Sequence, residues 1–151
     1  MVVAAAKLPE RDVPTTRRFE LPDLTRHSWI LPRLLKAWPH LQERQLAGFL
    51  TGIVNSPDYL FLYQEHGVAL ATLIHSNVRS PAPVVHEMFV LAEDEEHAPD
   101  AISFYDDFAR WARSNGAKAI MVEELTDVPH DLIAKRFKTV YETKQKHVKV
   151  T

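Results

Sequence analysis

The sequence predicts an α/β (α+β) fold, a mixed central sheet with helices on both faces, and three features carry that prediction. Residues 84–124 read strand, loop, amphipathic helix, strand, the order that yields a parallel strand pair through a right-handed crossover. Ahead of them, YLFLYQ and VALATLIHSNV flank a turn at His66 and Gly67, so with VVHEMFVL they make an antiparallel three-strand meander. Helical stretches stand before the meander and after the crossover, which supplies apolar faces for both sides of one sheet.

Residues 1–24 hold Pro9, Pro14 and Pro22 among scattered charges. Each proline removes a backbone donor and pushes its predecessor toward extended conformations, so this stretch is expected as an extended N-terminal arm outside a domain of residues 25–151. Such an arm stays mobile or is held by a protein partner or a homo-oligomer. Thr25 and Ser28 are candidate caps ahead of WILPRLLKAW, with Pro32 in the first turn. Pro39 is expected to open a second helix, in which Leu46, Phe49, Leu50, Ile53 and Val54 recur at helical spacing. Asn55, Ser56 and Pro57 stop it before YLFLYQ. After the meander, a helix over residues 99–115 carries Ile102, Tyr105, Phe108, Trp111 and Ala112 on one face, and Gly116 sits where a left-handed closing residue is wanted. KAIMVEE, the short helix HDLIAKRF and the strand TVYETKQKHVKV complete the chain.

The chain has 151 residues, 46% hydrophobic and 25% charged, enough for one domain that needs neither disulfide nor metal to fold. A net charge of -2 provides no general field for nucleic acid, and none is expected as a partner. The absence of cysteine removes thiolate chemistry and cysteine zinc sites and fits a reducing, cytoplasmic setting. No apolar run reaches the roughly 18 residues of a membrane span, and MVVAAAK is too short for a signal-peptide core. Among eight histidines, His75 and His86 lie on neighbouring strands, yet no spacing specifies three or four convergent ligands, so no metal is assigned. Lys135, Arg136, Lys138, Lys144, Lys146 and Lys149 make the C-terminal end basic, as suits a solvated edge strand.

The runs ARWARSNGAKAIMVEE and LIAKRFKTVYETKQKHVKV resemble the central helix with its following strand, and the last helix with its closing strands, of the GNAT superfamily of acetyl-coenzyme A dependent N-acyltransferases. The resemblance spans residues 25–150 and extends to small phage-encoded members, which implies a virion location if the chain is phage-encoded. It implies a loop at the start of the central helix whose glycines and backbone N–H groups bind the coenzyme A pyrophosphate. The matching residues are Glu96, His97, Ala98, Pro99, Asp100 and Ala101, with no glycine among them and with Glu93, Asp94 and Glu95 alongside. It also implies a tyrosine acid five residues before Phe137, where Leu132 stands, and a glycine where Arg136 stands; Tyr105 and Tyr141 are the possible substitutes. The resemblance assigns Glu87 as general base, and the backbone near Phe89 and Leu91 to the pantetheine arm. Strict alternation puts His86, Met88 and Val90 on one strand face and Glu87, Phe89 and Leu91 on the other.

Two functions follow from these departures. One is a GNAT-fold structural or binding module without acyl transfer, with no cofactor, in a larger assembly such as a phage virion. The alternative is an N-acetyltransferase using acetyl-CoA and Glu87.

Overall fold

A computed structural model describes residues 2–4, 14–75, 82–123, 125–137 and 139–141. Its elements in chain order are β1 (Val2–Ala4), β2 (Arg17–Arg18), α1 (Asp23–Arg26), α2 (Ile30–Ala37), α3 (Glu43–Ile53), β3 (Tyr59–Gln64), β4 (Gly67–Ile74) and β5 (Val84–Ala92). A 3₁₀ turn (Pro99–Ala101) then leads into α4 (Ile102–Ser114), followed by β6 (Ala119–Met121), α5 (His130–Arg136) and β7 (Thr139–Tyr141). One seven-stranded sheet has the order β2-β3-β4-β5-β6-β1-β7. The β3, β4 and β5 strands form the expected antiparallel meander, and β5 runs parallel to β6 across the α4 crossover.

The described parts of residues 1–24, which are 2–4 and 14–24, do not stand outside this domain as an arm. Val2–Ala4 is inserted between β6 and β7, antiparallel to both, and Val2 and Val3 are buried. Arg17–Arg18 extends the opposite edge against β3. Pro22 does not extend the chain but caps α1 in helical conformation, and the sheet offers Val2–Ala4 and Arg17–Arg18 ladder partners that satisfy their backbone groups. Asp23 fixes the turn from β2 into α1. It accepts from both Arg17 guanidinium nitrogens at 2.8 and 2.7 Å, from Arg26 at 3.0 Å and from the Glu20 N–H at 2.8 Å. Burial alone would raise its pKa, but the Arg17 and backbone hydrogen bonds overcome burial and hold the carboxyl below its ordinary value.

Two cores lie on the two faces of the sheet. Phe19, Ile30, Leu34, Leu46, Leu50, Ile53, Phe61, Phe89 and Leu91 form the face under α2 and α3. Val85, Val90, Phe104, Tyr105, Phe108, Ile120, Ile133 and Phe137 form the face under α4 and α5. The α3 helix starts at Glu43, not at Pro39, because the Gln45 side chain accepts the Gln42 N–H at 2.9 Å and so fixes the N-terminus there. At the end of α4, Gly116 has φ +75°. The Ala117 N–H reaches the Ala112 carbonyl at 2.8 Å and the Gly116 N–H reaches Arg113 at 3.2 Å, a closed Schellman arrangement that turns the chain back into β6.

Candidate functional site

The site region is the β5–β6 junction, where two parallel strands begin paired and then part. Among the described residues only Val85 with Ile120 and His86 with Met121 are in register. Beyond Met121 the chain leaves the sheet, and it returns at Val90 through an isolated parallel bridge with Thr126. The Val90 N–H donates to the Leu125 carbonyl at 3.0 Å, and the Val90 carbonyl accepts from the Asp127 N–H at 2.9 Å. Two residues further along the strand, the Ala92 N–H donates to the Asp127 carboxylate at 2.8 Å. Arg33 of α2 locks this segment down, donating twice to Asp127 at 2.7 and 2.8 Å and once to the Ala92 carbonyl at 2.9 Å. Residues 125–127 thus act as a strap across the edge of β5.

A bulge in β5 changes which residues face this slot. Leu70 pairs with Phe89 but Ala71 pairs with Glu87, so Met88 is an extra residue. The extra residue reverses the alternation. Glu87 and Val90 look toward α4, whereas Phe89 and Leu91 join Met88 in the core under α2 and α3. The expected grouping of Glu87 with Phe89 and Leu91 is therefore corrected. Phe89 is fully buried, its ring edge-on to Trp38 and Phe61 at 6.1 and 6.0 Å. Successive strand residues direct their backbone groups to opposite neighbours. Since the Val90 backbone groups are taken by Leu125 and Asp127, Phe89 and Leu91 direct theirs to β4, opposite Leu70 and Val68.

Glu87 is fully buried. Its Oε1 accepts the Tyr105 hydroxyl at 2.8 Å, and that hydroxyl also lies 2.8 Å from Thr126 Oγ1 in the strap. Its Oε2 is buried without a hydrogen-bond partner. Burial pushes the Glu87 carboxyl well above its ordinary value, the Tyr105 hydrogen bond opposing only in part, and the nearby Glu123 charge pushes the same way. Burial likewise raises Tyr105, with the Glu87 charge adding to it. A protonated, neutral carboxyl is the chemical state this environment favours. It can hold a proton, but the sheet and α4 enclose it.

The loop after β5 is the second part of the site. The Glu93 N–H donates to the His66 carbonyl at 2.8 Å, and the N–H groups of His97, Ala98, Asp100 and Ala101 donate to the carbonyls of Asp94, Glu95, His97 and Ala98. Pro99 has no N–H. These backbone donors are spent within the chain, in a loop that also carries Glu93, Asp94, Glu95, Glu96 and Asp100. A pyrophosphate needs free donors and positive potential, and a pantetheine arm needs the edge groups of β5.

The other sequence candidates have separate partners. His86 stands opposite Thr72 and its Nε2 is 2.6 Å from Glu123, while His75 lies past the end of β4, 2.9 Å from Asp58. They do not converge on one point. Leu132 packs at the margin of the core under α4 and α5. Arg136 donates to Asp106 through two nitrogens at 2.6 Å each, so it serves as an ion-pair anchor between α5 and α4. The side chain of Tyr141 and residues Lys138, Lys144, Lys146 and Lys149 lie outside the described residues. Sequence reasoning missed Arg33, Thr126 and Asp127. The Arg33–Asp127 contact joins residues 94 positions apart, and no local pattern signals such a pair.

The architecture is an acetyltransferase-like fold of GNAT type, a mixed sheet flanked by helices. Among solved structures the chain is similar to an aminoglycoside acetyltransferase, meta-AAC0020, from an uncultured soil metagenomic sample. Its complex with sisomicin matches with a TM-score of 0.53 at 12% identity over 91% of this chain and 95% of that one. Its complex with trehalose gives 0.52 at 14% identity over the same shares. Likeness at this identity defines the fold and leaves activity open. No protein-family model matches the chain, and no curated protein sequence matches it. No helix among the described residues is long and apolar enough to cross a membrane.

Proposed function

We propose that this chain is a GNAT-fold structural or binding module that no longer performs acyl transfer and works as a component of a larger assembly, with a phage particle as the assembly its resemblance implies. The carrying observation is the strap, which takes both Val90 backbone groups and the Ala92 N–H. The spent donors and the acids of the loop after β5 point the same way. A scaffold can outlast its site, because the two cores that hold the sheet do not depend on free groups at the β5 edge. The partner surface is not an N-terminal arm in this reading, since Val2–Ala4 and Arg17–Arg18 are occupied in the sheet.

The alternative, an acetyl-CoA dependent N-acetyltransferase, rests on Glu87. A carboxyl raised by burial beside the parting of β5 and β6 would take a proton from an acceptor only from its ionised form, and the strap would have to open before it met an acceptor. Thermal unfolding with and without millimolar acetyl-CoA separates the two readings. A ligand at about 100 times its dissociation constant adds about 2.7 kcal/mol. An unchanged Tm is expected; a clear rise would overturn the proposal and favour the alternative.

A further inference from the structure

Gln64 ends a strand row that is otherwise apolar. Alternation along β3 puts it on the sheet face of Leu60 and Leu62, under α4, and only 4% of it is exposed. Its amide nitrogen donates to Thr16 Oγ1 at 3.0 Å and to Ser103 Oγ at 2.6 Å. Both hydroxyls give their own protons to carbonyls, Thr16 to Pro14 at 3.4 Å and Ser103 to Asp100 at 2.9 Å. They can therefore only accept from Gln64, which fixes the orientation of its amide and uses both amide hydrogens. The carbonyl oxygen Oε1 takes no hydrogen bond among the described residues, and a side chain this buried rarely leaves an oxygen without a partner. Unlike Glu87 Oε2, which is sealed in, this oxygen belongs to a residue that borders a cavity of about 330 Å³.

The rest of that wall also presents acceptors. Its lining includes Thr15, Glu65, His66, His97 and Asp100, and Glu87 is not part of it. The Asp100 carboxylate has no partner among the described residues. His66 Nδ1 lies 2.7 Å from Glu93 and His97 Nδ1 lies 2.7 Å from Asp94; a carboxylate only accepts, so each Nδ1 carries the hydrogen and each neutral ring leaves Nε2 as an acceptor. Only the Thr15 hydroxyl can donate. An anion would meet Glu65 and Asp100, and a ligand made of acceptors would find almost nothing to bond.

We propose that this cavity binds a small organic cation with a primary ammonium group, which donates to Gln64 Oε1 and is balanced by the Asp100 carboxylate. An ammonium has three donors and no acceptor, the complement of this wall, and the volume stands at the lower end of small-molecule sites, about 300 Å³. The inference does not depend on whether acyl transfer has been lost, because the site excludes Glu87 and its test contains no acetyl-CoA.

The test is a titration of the full chain with 1,4-diaminobutane, read from backbone amide shifts in ¹H–¹⁵N spectra. The Glu93 hydrogen bond raises the His66 pKa, so the titration is run at about pH 8.5, roughly two units above an ordinary imidazole and still below an aliphatic amine. Saturable binding is expected, with the shifts centred on Gln64, His66 and Asp100. Affinity should fall at least about tenfold in Gln64→Met, which removes the oxygen, and about threefold in Asp100→Asn, and stay unchanged in Asp58→Asn. Asp100 is exposed, so its variant leaves a folded protein to measure even if Gln64→Met does not. No saturable shift up to about 10 mM, a Kd in the range of the weakest specific ligands, would overturn the proposal. Undiminished affinity in either cavity variant, or equal binding of the uncharged 1,4-butanediol, would do the same.

Discussion

The two edges of β5 are built differently. Along β4 its register runs from Val84 to Ala92, interrupted only at the Met88 bulge, and every step reinforces the next. Along β6 it holds two pairs, parts, and is bridged again at Val90 by residues from beyond the strand. The first edge is a continuous ladder between near neighbours in sequence. The second is held by a few long-range polar contacts, chiefly Arg33 to Asp127 and Tyr105 to Thr126. The two sides of one strand thus rest on different causes: the β4 side on pairing between near neighbours, and the β6 side on a few groups brought together from distant parts of the chain.

Breaking the β4 side should have the largest effect. Phe89→Ala removes a fully buried ring held between Trp38 and Phe61 and should lower stability by about 4 kcal/mol, measured by urea unfolding. Asp127→Ala breaks the other side. It strands the Ala92 N–H and frees Arg33, and because both side chains are partly open to water the loss should be about 2 kcal/mol. Hydrogen exchange sharpens the contrast, with the Val90 and Ala92 amides speeding up while the amides of Leu70 and Phe89 keep their protection. The same variant should still give no Tm rise with acetyl-CoA if the spent loop donors oppose the ligand independently of the strap. Tyr105→Phe removes a hydroxyl that contacts both Glu87 and the strap, and a loss of about 1 kcal/mol is expected.

The last effect is a slope. Glu87 has a folded pKa raised above its ordinary 4.5, so above 4.5 the native state keeps a proton that the unfolded chain releases. The sign follows directly: stability falls as pH rises from 4.5 toward the folded value, and the fall ends above it. Glu87→Gln should flatten that part of a Tm-against-pH profile and leave the acid limb set by Asp23 in place. Asp23 is the opposite case. Its lowered pKa contributes stability above the ordinary carboxylate range that is lost as pH falls through the folded value.

The legible parts of the fold have short-range causes. YLFLYQ matches β3 residue for residue, and Gly116 closes α4 because a left-handed position suits glycine. Of the stripe Leu46, Phe49, Leu50, Ile53 and Val54, three residues, Leu46, Leu50 and Ile53, are buried, while Phe49 and Val54 are partly buried against the same core. Val2–Ala4 was not legible: three residues carry no period, and nothing near them announces β6 and β7 as partners. The candidate site was half legible. Glu87 and the acid-rich, glycine-free loop can be read directly, since they depend on residue identity. The Met88 bulge, which separates Glu87 from Phe89, is a register event between two strands and has no sequence mark of its own.

By itself the sequence determined the order of the main elements from α2 onward, the two apolar surfaces that cover one sheet, and the negative character of the loop after β5, because periodicity, turn chemistry and charge are local properties. Tertiary structure alone decided that the N-terminal residues enter the sheet, that Arg33 and Asp127 strap the β5 edge, and that His66 meets His97. Those depend on which distant groups the closed chain brings within hydrogen-bond or stacking distance, and pairing energies of that kind exist only once the fold has formed.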